Sequence, residues 1–134
     1  MPDFRRVTDQ LSVSPQITVA DVAEAARQGF RTLVNNRPEG EEPGQPTGAE
    51  IEAAAKSHGL GYLSLPVRGG PTPEQVEATA AWTRDAAEPV LAYCRSGTRS
   101  INTWSLAERA GGRDRDELIE LGRAAGYDLS MVLR

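Results

Sequence analysis

This chain of 134 residues has one cysteine, Cys94, and one histidine, His58. A lone cysteine excludes an internal disulfide and a thiolate-rich zinc site. It also leaves no second thiol in the chain to resolve an oxidised intermediate. Basic residues are not in excess: the formal net charge is −4, against the usual balance of a nucleic-acid binder. No apolar run approaches the roughly 20 residues that cross a bilayer, and no membrane association is expected. The opening Met-Pro-Asp-Phe-Arg-Arg leads into no apolar stretch, so no secretory leader is expected and the expected location is cytoplasmic. Repeats, low-complexity tracts and linker-like segments are also missing.

What is present is ordinary for a globular chain. Apolar residues make up 39% and charged residues 25%, enough for one core and unlike a disordered chain. One domain over residues 1–134 is expected. Extended and helical signals alternate. Short strands are expected at Arg5–Val7, Leu11–Val13, Arg31–Asn35, Leu60–Leu65 and Pro89–Tyr93. Helices are expected at Val19–Gln28 (apolar stripe Val19, Val22, Ala23, Ala26), Gly48–His58 and Pro73–Ala87, capped by Thr18, Thr47 and Thr72. Two more are expected, at Arg99–Ala110 and from Asp114 to Ala125, the last with an Asp114/Glu117 capping box. Leu129–Leu133 reads as a final helical turn. This alternation predicts an α/β fold, with a mostly parallel sheet covered on both faces by helices.

The informative segment follows Pro89–Tyr93. A buried strand ends, the chain turns through Cys94-Arg95-Ser96-Gly97-Thr98-Arg99, and a helix begins. Ligands of open α/β sheets sit at the carboxyl ends of strands. Successive N–H groups in such a turn converge into an anion nest, and the helix start adds about half a positive charge. Gly97 admits a backbone conformation closed to other residues. Arg95 and Arg99 supply fixed charge, and Arg99 can grip an oxyanion through two N–H groups. Ser96, Thr98 and Ser100 offer hydroxyls, Ser100 to the Cys94 sulfur. A thiol in this field is expected to ionise well below its free value of about 8.5 and to act as a nucleophile. The plain alternative is a buried small hydrophobe at an ordinary strand–turn–helix junction. Two arginines and three hydroxyls around the cysteine argue against it.

The loop resembles two known classes. Cys94-Arg95-Ser96-Gly97-Thr98-Arg99 matches the Cys-Arg-x-Gly-x-Arg/Thr active loop of rhodanese-type sulfurtransferases. Cys94, Arg99 and Ser100 also resemble the tyrosine and dual-specificity phosphatase signature. That signature has five residues between cysteine and arginine, whereas this chain has four. Val13-Ser14-Pro15-Gln16-Ile17, the Asn35–Pro46 segment and Ala92–Ser100 together resemble the bacterial beta-lactamase-hydrolase-like family. Its phosphatase-like domain stands alone or is fused to a persulfide dioxygenase. The resemblance implies a dual-specificity/tyrosine-phosphatase-like fold and a sulfurtransferase that moves a sulfane sulfur through a Cys94 persulfide. The implied substrates are a small anionic donor, thiosulfate or a persulfide, and a thiol or cyanide acceptor. A persulfide dioxygenase is the implied partner. Cys94, Arg99 and Ser100 would be catalytic; Arg95, Ser96, Gly97, Thr98 and Arg37 would bind the anion. No cofactor or metal is expected.

Two further readings stay open. A phosphatase acting through a phosphocysteine fits Arg99-Ser100, but needs an acid for the leaving alkoxide. Pro66–Pro71, where such an acid is usual, has no carboxylate. A non-catalytic persulfide or anion sensor is the third. Arg37 is expected on the same rim as Cys94, either binding the anion or pairing with Glu39, Glu41 or Glu42. Those glutamates are expected to be mainly solvated, with a role as acid only if their loop folds over the site. His58, at a helix end, is expected to be structural.

Overall fold

The computed structural model describes residues 2–134. Ten elements follow in order: β1 (Arg5–Arg6), β2 (Leu11–Ser14), α1 (Val19–Arg27), β3 (Thr32–Asn35), α2 (Gly48–Ser57), β4 (Gly61–Ser64), α3 (Pro73–Asp85), β5 (Val90–Tyr93), α4 (Thr98–Ala110) and α5 (Arg115–Ala124). The sheet order is β1-β2-β5-β3-β4. Only β1 runs antiparallel to its neighbour; β2, β5, β3 and β4 are parallel. The fold is α/β with a mostly parallel sheet, and every expected strand and helix is found with ends shifted by a few residues.

Strand periodicity builds two cores. Along β5, Val90 and Ala92 face one side while Leu91 and Tyr93 face the other. The first side packs on Trp82 of α3, Ile101 and Trp104 of α4, and Leu118 of α5. The second packs on Val22 and Ala25 of α1 and Ile51, Ala54 and Ala55 of α2. Both faces of β3 and β5 are therefore dry, and their residues are buried throughout. The helix starts follow the sequence: Thr18, Thr47 and Thr72 each form a reciprocal capping box.

Two local expectations are corrected. On α1, Val22 and Ala25 are buried, while Val19 is 49% exposed and Ala23 lies outside. The stripe Val19, Val22, Ala23, Ala26 was out of phase because alanines fit either face and do not fix the helix rotation. On α5, the Asp114 side chain accepts from the Glu117 N–H, but the return half of the box is not formed. The Glu117 carboxylate instead lies 3.5 Å from Arg113. Leu129–Leu133 makes the expected single helical turn, closed by the Leu133 N–H on the Leu129 carbonyl.

Candidate active site

Register places the site. Ser14 of β2 and Asn35 of β3 both pair with Tyr93, the last residue of β5. Because the three strands are parallel, the segments that follow them emerge together on one rim. Pro15-Gln16, Asn36-Arg37 and the Cys94 loop are thus neighbours. Backbone bonds tie them: Asn36 N–H to the Tyr93 carbonyl at 2.8 Å, Cys94 N–H to Ser14 and Gln16 N–H to Arg95, both at 3.3 Å.

Cys94 exposes none of its surface. The Gly97 N–H donates to its sulfur at 3.1 Å. Gly97 reaches this position with φ +90°, and a Cβ there would also collide with the Tyr127 hydroxyl. That hydroxyl donates to the Ser96 carbonyl at 2.9 Å and holds the loop from outside. Burial raises the Tyr127 pKa, which keeps this donor protonated. Gly97 caps α4 without any side-chain bond, and the first turn of α4 carries no acid. The helix start therefore faces the loop without a competing side-chain cap.

The arginines are held by carboxylates. Arg99 donates from both terminal nitrogens to the two oxygens of Glu41, each at 2.7 Å, and once to the Val67 carbonyl at 2.9 Å. Arg37 is 3% exposed. It donates to Glu41 at 2.9 Å, Glu42 at 2.8 Å and the Gln16 side chain at 3.2 Å. Hydrogen bonds from Arg99 above all, with help from Arg37 and against partial burial, lower the Glu41 pKa from 4.5 to about 2. Arg37, through its hydrogen bond to Glu42, lowers the Glu42 pKa as well. The Arg99 charge is reinforced in turn, first by Glu41 and further by nearby Cys94. Glu39 points elsewhere and accepts from the Gly48 N–H at the start of α2.

The residues expected to carry the chemistry thus divide. Cys94, Gly97, Arg99, Ser100 and Arg37 are drawn together on the rim. Arg95 extends outward, its side chain 69% exposed and 3.7 Å from Glu42. Ser96 and Thr98 are exposed, with the Ser96 hydroxyl donating to that of Thr98 at 3.0 Å. Ser100 does not donate to the Cys94 sulfur, as the sequence suggested. Its hydroxyl donates to Asn36 Oδ1 at 2.8 Å. The Asn36 Nδ2 donates to the Leu65 carbonyl at 2.9 Å, so Oδ1 faces Ser100 and takes its only proton. The Glu41 loop does fold over the rim. Its carboxylate is the residue that sequence reasoning most underrated, since a polar loop carries no signal of where it returns. Tyr127 was missed for the same reason; Gln16 and Asn36 both lie in segments that carry the family resemblance, and the side chains of Asn35 and Asn36 do fix the rim by hydrogen bonds. His58 is the exposed C-cap of α2. Among the described residues, no cluster of three or more His, Cys, Asp or Glu side chains is placed to hold a metal. None of their helices is long and apolar enough to cross a membrane.

A cysteine and an arginine bracket a turn between a central parallel strand and a helix, and the sheet around them has the tyrosine-phosphatase-like fold. A solved putative phosphatase from Neisseria meningitidis superposes with TM-score 0.88 at 34% identity, covering 99% of this chain and 95% of the other. Tk-PTP in its active form shares the fold, with TM-score 0.73 at 22% identity and coverage of 96% and 88%. Residues 3–111 match the phosphatase-like domain of beta-lactamase hydrolase-like proteins, and the chain belongs to that family. The beta-lactamase hydrolase-like protein of Agrobacterium fabrum is 35% identical over 132 residues, or 96% of this chain. The chain spans only 30% of that relative's length. Family and fold together make the chain a phosphatase-like domain.

Proposed function

We propose that Cys94 is the nucleophile of a sulfurtransferase. The observation that carries this reading is the cradle itself. Four residues separate Cys94 from Arg99, and the fork of Arg99 is filled by Glu41. A short cradle whose main cation is neutralised suits a terminal sulfur better than a tetrahedral phosphoryl group. In the first step the Cys94 thiolate attacks the outer sulfur of thiosulfate. The S–S bond breaks, sulfite leaves with the electron pair, and Cys94 holds a persulfide. A persulfide donor would release a thiolate in the same way. In the second step cyanide or a thiolate takes the outer sulfur and regenerates the Cys94 thiolate. The Gly97 N–H and the open start of α4 offer donors to the anionic sulfur. Neither leaving group needs a proton, which suits a site where the carboxylate on Arg99, Glu41, stays ionised.

A phosphatase is the second reading, and the comparisons favour it over sulfur transfer. The Neisseria protein, 34% identical, is a putative phosphatase. On that reading Cys94 would carry a phosphocysteine, and an acid would have to come from the Glu41 loop.

One paired assay separates the two. Thiocyanate formation from thiosulfate and cyanide is measured beside hydrolysis of p-nitrophenyl phosphate, with intact mass after thiosulfate treatment. Sulfur transfer and a gain of one sulfur atom, both abolished in Cys94→Ser, are expected. Cys94-dependent phosphate release with no added sulfur would replace the first reading by the second.

A further inference from the structure

We propose that Glu41 is the specificity-determining residue of the Cys94 site: an internal carboxylate that occupies the Arg99 fork and discriminates against doubly charged oxyanions. The paired contacts at 2.7 Å are the geometry a bound oxyanion would take on Arg99. Glu41 sits there as a built part of the site. Arg37, itself almost wholly buried, holds one Glu41 oxygen at 2.9 Å. Arg37 is anchored in turn by Gln16 and Glu42, and its N–H bonds the Asn35 side chain at 2.9 Å. The Glu41 loop is thus fastened to the ends of both β2 and β3. Cys94 is fully covered, so any donor must displace covering groups before it meets the sulfur.

The consequence follows from charge. A phosphate or thiosulfate dianion competes with Glu41 for Arg99, and while Glu41 remains nearby it adds like-charge repulsion. A sulfane sulfur carried on an organic group brings less charge to the reacting atom. It needs only the Gly97 N–H and the helix start, and Arg99 can stay paired. Glu41 thereby favours organic persulfides over inorganic oxyanions at one nucleophile. The choice of persulfide rests on sulfur transfer being the reaction; the competition for Arg99 does not.

The test is calorimetric titration of the purified protein with inorganic phosphate, for wild type, Glu41→Gln, Glu41→Asp and Glu42→Gln. Neutralising Glu41 is expected to tighten phosphate binding by about tenfold or more. Glu41→Asp keeps the charge but shortens the reach, and is expected to fall between wild type and Glu41→Gln. Glu42 pairs with Arg37 and not with Arg99, so Glu42→Gln is expected to change the affinity by less than about threefold. Unchanged or weaker binding in both Glu41 variants overturns the proposal. So does an equal gain in Glu42→Gln, which would indicate general loop charge. Intact mass after treatment with an alkyl persulfide is read in parallel. Its failure to add sulfur to Cys94 while phosphate binding responds to Glu41 would remove the sulfur reading and leave Glu41 as the anion discriminator.

Discussion

Arg99 and Ser100 stand side by side in sequence and have different tasks. Arg99 faces the rim and holds a carboxylate in a fork that lysine cannot reproduce. Arg99→Lys is expected to lower kcat/KM for transfer from thiosulfate by about tenfold or more, read by thiocyanate formation, because one ammonium cannot offer the sulfonate two parallel donors. Ser100 is 1% exposed and bonds Asn36, so it braces the start of α4 against the end of β3. Ser100→Ala leaves the buried Asn36 oxygen without its donor. The expected cost is about 1–3 kcal/mol of stability by urea denaturation. A variant with wild-type stability would show that Asn36 finds another partner. The sequence marked both residues but misjudged the partner of Ser100, since a hydroxyl's neighbour across the sheet leaves no local trace.

Among the elements, the β5–loop–α4 unit is shaped by Gly97 and the helices by their caps. Gly97→Ala must hold a Cβ at φ +90° and push aside the Tyr127 hydroxyl. Loss of about 1–3 kcal/mol is expected, with sulfur transfer falling in the same variant, because the N–H that donates to Cys94 is carried on that residue. Tyr127→Phe removes the collision partner's hydroxyl and tests how much of the loss is steric. Thr72→Ala breaks the capping box of α3 and is expected to cost about 1 kcal/mol in a thermal melt. Helix starts were legible because a cap is a local event within four residues. The rotation of α1 was not, because its alanines carry too little hydrophobic contrast to choose a face.

For the whole molecule, the Glu41 bridge between the two halves of the rim makes stability depend on acid. Its folded pKa of about 2 lies below its ordinary 4.5. A carboxylate depressed on folding stabilises the protein fully above the ordinary value and loses that contribution as pH falls through the folded one. Stability measured by denaturant should therefore decline as pH drops from about 4.5 toward 2. Glu41→Gln should flatten part of that decline. If the two curves stay parallel across this range, Glu41 contributes nothing to the acid limb.

The alternation of strands and helices, the parallel sheet, the capped helix starts and the position of the Cys94 loop after a buried strand are legible before the chain is folded. Each of these is written in a few consecutive residues, through periodicity, turn chemistry and caps. The place of Arg37 on the rim is legible too, since Arg37 closely follows a strand. Long-range packing, by contrast, brings Glu41 back across 58 positions to fill the Arg99 fork, buries Arg37 against it and sets Tyr127 on the Cys94 loop. The polar loop after β3 and the turn after α5 have no period of their own. Where their side chains come to rest is set by the sheet register and by which charges lie within reach once the strands are aligned.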